Sequence, residues 1–550
     1  MIARTMPTYH TLGSSRNGQR GGALLVMLVI LVIGITTAFV TSLSSTAINN
    51  KRNQTTAEAL AQAKEALIGY AVSDPNRPGE LPCPDTGNDG SAESNCSAAG
   101  SSLVGRLPWR TLGLPDIRDS AMEHLWYVVS DSFHANGSTP INSETTGTIS
   151  LSGNVTANNL IAIVFAPGKP LSAQVRSTEN ENNSMHYLES VVNSPTSFKK
   201  LTPNDQAGGA STYNDHLITI SGSDLWPSVE KVVGKRFRQL PLLNTYYTVW
   251  GAFPFAAPFV DPSLPFTDAS KPFIGAANTY SGLLPMGAVW TGVPGYALAG
   301  GSAGVTCTLN SGYNGLADAR AYCDIVYITD TPTISITGTL KGLRLWRLHD
   351  LSDVNQVRVK VSGNNFSASE VAGMNATISA LKADGSSGLN ADGSVTVTFT
   401  GTLVPGVERI RLRDVVVDPS VDPVDPAYAW FTRNQWNRVM YYAISPGYAP
   451  AGGNSCTPLP GGTPPSCLTV NGSAGGDDKR AVITMTGGAL NGQSRAASPI
   501  ALCPTTGTTI APNACPSNYL ESENATPADF IYENKTRSGT FNDQVIIVAP

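Results

Sequence analysis

The chain is poor in charge: Asp, Glu, Lys and Arg make up 14 % of its 550 residues, against about 25 % in an ordinary soluble domain. The formal net charge of -5 provides no basic surface, so nucleic acid is not expected as a partner. The sequence also lacks a Gly-X-Y period and contains one long apolar run, which excludes collagen and multispan membrane proteins. Its 53 glycines and 38 prolines indicate many turns between short strands.

Motifs that carry catalysis are also missing. The six histidines form no HExxH pair, and there is no P-loop and no dinucleotide-binding fingerprint. A GxSxG string around Ser302 stands in a Gly/Ala-rich stretch, whereas a catalytic serine of this motif lies between a strand and a helix. No nucleophile accompanies Glu189 with Asp215, or Glu521 with Asp543, and Asn-Asp before a strand is typical of a capped turn. We therefore expect no enzymatic activity.

The one long apolar run lies near the N-terminus. From Gly21 to Val40 the chain carries no charge, which is long enough to cross an apolar layer about 30 Å thick. Arg4, Arg16 and Arg20 precede it without an acidic residue, so the positive-inside rule places the N-terminus in the cytoplasm. We expect a single-pass protein of a bacterial inner membrane, with most of the chain periplasmic or on a surface filament.

The helix is expected to continue beyond the apolar run. Residues 55–72 are rich in strong helix formers, and their apolar side chains recur at steps of three and four residues, which predicts a stripe for packing against a globular head. The stripe consists of Ala57, Leu60, Ala63, Leu67 and Ala71.

The start of the apolar run resembles the type IV pilin and type II secretion pseudopilin family, whose members carry a short basic leader that ends in Gly. Residues 19–26 read QRGGALLV. The resemblance implies that a prepilin peptidase cuts between Gly21 and Gly22 and methylates the new N-terminus; a cut between Gly22 and Ala23 is the alternative. Major pilins carry Glu at the fifth mature position, where this chain has Val26, and this departure favours a minor, tip-located subunit.

The eight cysteines fall into four pairs of sequence neighbours. None has the CxxC spacing of a zinc or thioredoxin-like site, and an even number in an exported chain indicates disulfides that each close a short loop. Nearest-neighbour pairing is the simplest of the connectivities that the sequence allows. It joins Cys83 with Cys96, Cys307 with Cys323, Cys456 with Cys467, and Cys503 with Cys515.

The first of these loops contains three acidic residues at a regular spacing. Asp85, Asp89 and Glu93 stand at relative positions 1, 5 and 9, with a glycine after the second, an arrangement related to a tight Ca²⁺ loop. No Glu occupies position 12, and an Asx-rich turn held by the disulfide is the alternative. Ca²⁺ is the one cofactor that the sequence suggests.

Self-comparison reveals a duplication. Residues 162–176 and 481–495 match without a gap, sharing Ala, Gly, Leu, Gln and Arg. Three more blocks recur in the same order, so residues 105–222 (copy A) and 428–550 (copy B) are copies of one domain. A smaller repeat, TGTL, occurs at 337–340 and 400–403 after alternating strand-like runs, and it predicts an inserted β-sandwich.

These patterns predict an α+β protein: a long N-terminal transmembrane helix, followed by a duplicated pilin-like head of antiparallel sheets with an inserted β-sandwich. The expected segments are a basic leader over 1–21, the transmembrane and assembly helix over 22–72, the first head with its disulfide loop over 73–245, an aromatic and Pro-rich connector over 246–299, the β-rich insert and its Pro/Asp linker over 300–426, and the second head over 427–550.

We therefore expect a minor pilin-like or pseudopilin-like subunit at or near the tip of a type IV pilus or a type II secretion pseudopilus. Its expected partners are a prepilin peptidase, other subunits through the N-terminal helix, and the inner membrane, and its β-rich domains are expected to bind a ligand. A membrane-anchored periplasmic binding protein or adhesin outside a filament is the first alternative. An anchored carbohydrate-active enzyme is the second.

Overall fold

A computed structural model gives the fold. The residues that it describes are 27–32, 45–94, 96, 103–134, 139–171, 174–191, 196–202, 212–239, 242–259, 275–285, 288–291, 304–309, 321–326, 333–342, 360–361, 389–402, 409–413, 430–431, 433–458, 466–473, 475–493, 495 and 516–550. All structural statements below refer to these residues, which form an α+β protein with several sheets.

The predicted transmembrane helix over 22–72 is wrong. Residues 27–32 are helical, residues 21–26 and 33–44 lie outside the described ranges, and helix α1 is Ser45–Ser73. Helix α1 carries charges such as Lys51, Arg52 and Glu58, each of which would cost about 3 kcal/mol at the centre of a bilayer. In the described part of the chain, no helix combines the length and apolar character that a membrane crossing requires. The predicted location as a single-pass inner-membrane protein depended on that helix and is corrected with it.

A four-stranded antiparallel sheet, here called sheet A, follows α1. Its strand order is β1-β2-β5-β7. Its outer face is covered by a smaller sheet of order β4-β3-β6, in which β3 and β6 run parallel. The strands are β1 (Leu103–Arg106), β2 (Trp126–Val129), β3 (Ile149–Gly153), β4 (Ala157–Leu160), β5 (Ala162–Ala166), β6 (Ser197–Lys200) and β7 (His216–Ile220).

A second antiparallel sheet, sheet B, has the order β8-β16-β18-β20. A parallel pair, β17 with β19, accompanies it, as β3 with β6 accompanies sheet A. Two helices, α2 (Gly222–Gln239) and α3 (Leu242–Trp250), precede this sheet. The strands are β8 (Ser281–Leu283), β16 (Met440–Ile444), β17 (Thr469–Asn471), β18 (Ala481–Met485), β19 (Ile531–Glu533) and β20 (Gln544–Ala549).

The two sheets match in register as well as in order. Tyr127 of β2 pairs with Val164 of β5, and the equivalent Tyr442 of β16 pairs with Ile483 of β18. Both tyrosine hydroxyls donate to a proline carbonyl, 3.2 Å to that of Pro82 and 3.1 Å to Pro254. The four sequence blocks thus occupy equivalent places in two structural repeats.

Each sheet has its own helix. Helix α1 packs on β5 and β7, and α2 packs on the equivalent strands, β18 and β20. The structural repeats are therefore larger than copies A and B: repeat 1 covers residues 45–220 and repeat 2 covers 222–549. Repeat 2 takes in α2 and β8, which the sequence analysis placed in the first head and in the connector.

The β-rich insert interrupts repeat 2 between β8 and β16. It forms two sheets, of order β10-β11-β15-β13 and β14-β12-β9. Cys307 and Cys323 are register partners on β10 and β11. The strands are β9 (Ala288–Thr291), β10 (Gly304–Leu309), β11 (Ala321–Val326), β12 (Thr333–Gly342), β13 (Lys360–Val361), β14 (Ser394–Thr402) and β15 (Arg409–Arg413).

One hydrophobic core joins the two repeats. The stripe of α1 enters it with Leu60, Ala63, Leu67 and Ala71, whereas Ala57 is exposed. The inner faces of both sheets, α2 and the aromatic side chains that follow α2 belong to the same cluster. Trp226 of α2 meets Trp436 of repeat 2 edge to face, with 6.2 Å between ring centroids. The aromatic segment after α2 is therefore core, as shown by Tyr246, Trp250, Phe253 and Phe255.

Candidate functional site

A cleft of about 870 Å³ lies between the two repeats. Repeat 1 contributes the approach to β3, strand β4 and the residue that follows β4, and repeat 2 contributes the start of α2 and the loops after β18 and before β20. We call it the inter-repeat cleft. Its lining is mostly hydroxyl, amide and glycine, with Trp226, Ile161 and Leu490 as the larger apolar groups. Apolar atoms nevertheless make up the larger part of its exposed lining, and Glu144, Arg495 and Arg537 are its charged residues.

Two arginines, Arg495 and Arg537, line the cleft, and they have different partners within the protein. Arg495 is held by the hydrogen-bond network described below. Arg537 contacts Glu230 of α2 through one guanidinium nitrogen, and its side chain is 27 % exposed while that of Glu230 is 0 % exposed. Burial lowers the pKa of Arg537. The ion pair therefore fixes the position of Arg537 at the wall of the cleft.

The first turn of α2 also faces the cleft, through Ser221, Gly222 and Ser223. Asp224 closes a capping box: its Oδ2 accepts from the backbone N–H of Ser221 at 2.8 Å and from the Ser221 hydroxyl at 2.7 Å. Lys64 of α1 neutralises this carboxylate at 2.7 Å. The N-terminus of α2 is thus an electropositive end of a helix at the wall of a cleft.

Each repeat contains the same arginine-centred network. In repeat 1, Arg176 donates to the carbonyl of Gly168 at 2.7 Å and to Gln174 Oε1 at 2.8 Å, and it stacks 4.9 Å from the ring centre of Tyr187. In repeat 2, Arg495 donates to Gly487 O at 2.7 Å and to Gln493 Oε1 at 3.1 Å, and it stacks on Tyr519 at 5.1 Å.

The glutamine of each network contacts a glutamate, which in turn accepts a hydrogen bond from the backbone N–H of an asparagine. Gln493 donates to Glu521 Oε1 at 2.6 Å, and Glu521 Oε2 accepts from the backbone N–H of Asn542 at 3.0 Å. Gln174 and Glu189 form the same contact in repeat 1, where Glu189 accepts from Asn214 N at 3.0 Å. The glycine, glutamine and arginine shared by the ungapped sequence match are among the residues that build these networks. The sequence match thus identified the residues of the networks, but their spacing did not show that they bond to one another.

The carboxyl pairs Glu189 with Asp215 and Glu521 with Asp543 belong to these networks, and Asp215, Glu521 and Asp543 are buried. Asp215 Oδ2 accepts from Ser190 N at 2.7 Å, and Asp543 Oδ2 accepts from Glu521 N at 2.9 Å. Burial, and next the charge of the paired glutamate, raises the pKa of Asp215 and of Asp543 well above the usual carboxyl range. These pairs bind backbone groups of the strand ends, so they hold loops in place.

The three carboxylates of the acidic loop inside the first disulfide accept hydrogen bonds from other groups of the same loop. Asp85 is buried and accepts from Gly90 N at 2.7 Å, Asp89 accepts from Ser91 N at 2.7 Å, and Glu93 accepts from the Thr86 hydroxyl at 2.7 Å. Within the described ranges, the three carboxylates do not form a group whose ligand atoms lie within 4.8 Å of one another. Ca²⁺ binding by Asp85, Asp89 and Glu93 stays a prediction.

Two of the predicted disulfides are present. Cys83 and Cys96 have Cα atoms 5.7 Å apart, and Cys456 and Cys467 have theirs 5.0 Å apart. A ring nitrogen of His134 lies within 4.8 Å of both sulfurs of the first bridge. Metal ligation by cysteine requires thiolates, so the bridged pair is not a metal site. The leader residues Gly21 and Gly22, Ser302, Cys503 and Cys515 lie outside the described residues.

Comparisons with protein-family models, with curated proteins and with solved structures find no match to this chain.

Proposed function

We propose that the chain is a minor pilin-like or pseudopilin-like subunit. A prepilin peptidase cuts it after Gly21, and it takes a place at or near the tip of a type IV pilus or a type II secretion pseudopilus. There its two-repeat head binds a ligand. The leader sequence at residues 19–26 is the basis for the processing step.

The observation that carries the assembly step is a run of exposed apolar side chains on a short helical segment. Residues 27–32 are all large and apolar, and they are between 45 % exposed at Val29 and 76 % exposed at Met27. Exposed apolar residues this close together indicate a surface that another protein covers. Other subunits of a filament would cover it, while α1 buries its own stripe on sheet A.

Mass spectrometry of the mature chain tests the processing step. The chain is produced in a bacterium that assembles such filaments, and a methylated Gly22 at the N-terminus is the expected result. Replacement of Gly21 by Val should block the cut, whereas Gly22→Ala, which keeps a small residue, should be processed. A mature chain that still begins at Met1 would overturn the proposal.

A charged substitution tests the assembly step. Ile30→Glu should remove the chain from sheared filaments, because Glu cannot enter an apolar contact between helices. Met122→Glu is the matched control: Met122 is 69 % exposed on the head, so this variant should still assemble. Equal incorporation of both variants contradicts assembly through residues 27–32.

A binding protein that does not enter a filament is the second candidate. The inter-repeat cleft favours it, because a ligand site between two repeats needs no filament. Ligand binding by a chain with an unprocessed N-terminus would support this candidate over the first.

A further inference from the structure

We propose that the reduced chain binds one Zn²⁺ ion through Cys83, Cys96 and His134, so that the first disulfide and a metal site are two states of the same residues. The two sulfurs and a ring nitrogen of His134 all lie within 4.8 Å of one another. In the described part of the chain, no other group of three such ligands comes this close together. The inference goes beyond the proposed function and does not depend on processing or on filament assembly.

Backbone contacts hold two of the three ligands in place without the disulfide. Leu81 and His134 form a parallel β-bridge. The carbonyl of Pro82, directly before Cys83, accepts from the buried hydroxyl of Tyr127 at 3.2 Å. Cys83 and His134 are therefore fixed by strand contacts, and the ion need not order them when it binds.

The same backbone contact occurs in repeat 2. Leu81 N donates to Phe133 O at 2.8 Å in repeat 1, and Phe253 N donates to Tyr448 O at 2.7 Å in repeat 2. Each donor stands one residue before the proline whose carbonyl accepts from the buried tyrosine hydroxyl of its repeat. The two contacts are therefore equivalent, and so are the residues beside them in the chain.

The residues beside this contact differ in chemistry between the repeats. Repeat 1 has Cys83 and His134, and repeat 2 has Phe255 and Ala449 at the same places. Phe255 and Ala449 are both buried and belong to the hydrophobic core. Apolar side chains thus satisfy the packing of these positions, so the fold alone does not require a cysteine and a histidine there. Repeat 1 instead carries two residue types that bind metal.

A carboxylate orients the imidazole of the site. Asp131 Oδ1 lies 3.2 Å from His134 Nε2, and the Asp131 side chain is 54 % exposed. In metal sites, a carboxylate on one ring nitrogen of a histidine fixes the tautomer and makes the other nitrogen a stronger ligand. Asp131 also places a solvent-exposed negative charge beside the site, which favours the approach of a cation.

The ligand set selects the kind of ion. Two thiolates and one imidazole favour Zn²⁺ over Mg²⁺ and Ca²⁺, and three protein ligands leave the fourth tetrahedral position to water. Two thiolates that each lie about 2.3 Å from one zinc are about 3.8 Å apart. The sulfurs must therefore move apart when the bridge opens, and rotation of the cysteine side chains provides this separation.

Reduction and metal binding are two separate steps. A phosphine gives two electrons to the S–S bond and takes the oxygen of a water molecule to become a phosphine oxide, and the two protons of that water convert the sulfurs to thiols. Zn²⁺ then forms two Zn–S bonds and one Zn–N bond, and the two thiol protons pass to solvent. Oxidised glutathione reverses the change: it accepts two electrons and becomes two thiolates, the bridge closes and the ion is released.

Titration of the full-length chain with Co²⁺ tests the site, because Co²⁺ replaces Zn²⁺ in such sites and its bond to a thiolate gives a charge-transfer absorption. We expect the band in the phosphine-reduced chain and its loss when Zn²⁺ is added. The chain with its bridges intact should show no band. No band in the reduced chain, or the same band in the oxidised chain, would overturn the proposal.

Two double variants locate the thiolates. Cys83→Ser with Cys96→Ser should remove the band, whereas Cys456→Ser with Cys467→Ser should keep it. Each variant retains six of the eight cysteines and loses one described bridge, so the two are matched in thiol number and in lost cross-links. The same result in both variants would contradict the site.

Histidine variants locate the third ligand. His134→Ala introduces the residue type that repeat 2 has at this place, and it should weaken Zn²⁺ binding at least about tenfold. Asp131→Asn should weaken it by about tenfold and keep the band, as expected of a positioning residue. The control is His124→Ala, which breaks another pair of histidine and aspartate, His124 with Asp116 at 3.0 Å, and should leave the affinity unchanged. Equal weakening by both histidine variants would contradict the site.

Circular dichroism of the reduced chain keeps the test decisive if loss of the bridges unfolds it. Zn²⁺ should then restore the spectrum of the unaltered chain but not that of the chain with Cys83→Ser and Cys96→Ser, because metal binding and folding are coupled. A reduced chain that neither binds Zn²⁺ nor refolds with it would overturn the proposal.

Discussion

Residues shared by the two repeats form the same contacts twice. Gly168 and Gly487 have φ values of 64° and 62°, a conformation that favours glycine, and each faces the side chain of an asparagine, Asn214 or Asn542. Both asparagines donate to a nearby backbone carbonyl, at 2.7 Å and 2.6 Å. The duplication thus preserved the contacts that hold these loops.

The buried aspartates of these networks predict an unusual pH dependence. Because the folded chain keeps a proton on Asp215 and Asp543 above the pH at which the unfolded chain releases it, stability should fall as pH rises from about 4 toward the raised pKa of the folded state. Asp215→Asn should flatten this slope, by at most about 1.4 kcal/mol per pH unit for one proton. Denaturant unfolding between pH 4 and pH 9 measures it.

Asp89→Asn is the control for this prediction. The backbone N–H of Ser91 lowers the pKa of the exposed Asp89. The stability that Asp89 contributes is therefore lost as pH falls, and Asp89 does not affect the slope of stability against pH above pH 4. An unchanged slope in Asp215→Asn, or the same flattening in Asp89→Asn, would contradict the proposed origin.

At the level of elements, the attachment of α2 to sheet B depends on a close approach. A Cβ added to Gly234 would lie 1.9 Å from Ile546 Cδ1 of β20 and 3.7 Å from Met485 Cγ of β18. No other residue type allows this helix to lie so near the sheet without displacing Ile546. The glycine is therefore a packing feature, although glycine generally weakens a helix.

Alanine substitutions at two helical glycines should have opposite effects. Gly234→Ala should lower the free energy of unfolding by about 1–3 kcal/mol, because it overpacks the contact with Ile546. Gly69→Ala on α1 meets nothing within 4 Å and should raise that free energy by about 0.5–1 kcal/mol through helix propensity alone. Urea titrations of both variants give the two signs, and stabilisation by Gly234→Ala would contradict the packing.

For the whole molecule, the shared core implies that the repeats unfold together. Asn434, which is fully buried, accepts from the backbone N–H of Ile141 at 3.3 Å and donates to the carbonyl of Asn76 at 2.9 Å. Asn142 of repeat 1 donates to the carbonyl of Asn434 at 2.9 Å. One side chain of repeat 2 therefore satisfies backbone groups of repeat 1.

Asn434→Ala should destabilise both repeats equally. The substitution leaves buried backbone groups without partners, at about 1–3 kcal/mol each. Hydrogen exchange should show the same loss of protection for the central strands β5 and β18. Asn180→Ala, which removes a bond to Val175 O within repeat 1, should leave both strands protected. A loss confined to one strand would mean that the repeats unfold independently.

Local patterns in the sequence predicted much of this architecture. The spacing of Leu60, Ala63, Leu67 and Ala71 predicted the buried face of α1, because residues three and four apart share one side of a helix. The order of the repeated blocks predicted two equivalent sets of strands, and neighbouring cysteines predicted two bridges. The membrane-spanning helix was predicted from the hydropathy of residues 21–40 and from the basic residues before them, but no described helix is long and apolar enough to cross a membrane.

The α+β class, the duplication and the short-range disulfides follow from the sequence alone, because each depends on residues that are close in the chain or on a direct match between two segments. Tertiary structure alone decided that α2 belongs to sheet B and that Arg537 stands beside Glu230, more than 300 positions earlier. It also decided that a cleft opens between the repeats. These features arise from the packing of one repeat on the other, and no periodicity within either repeat encodes them.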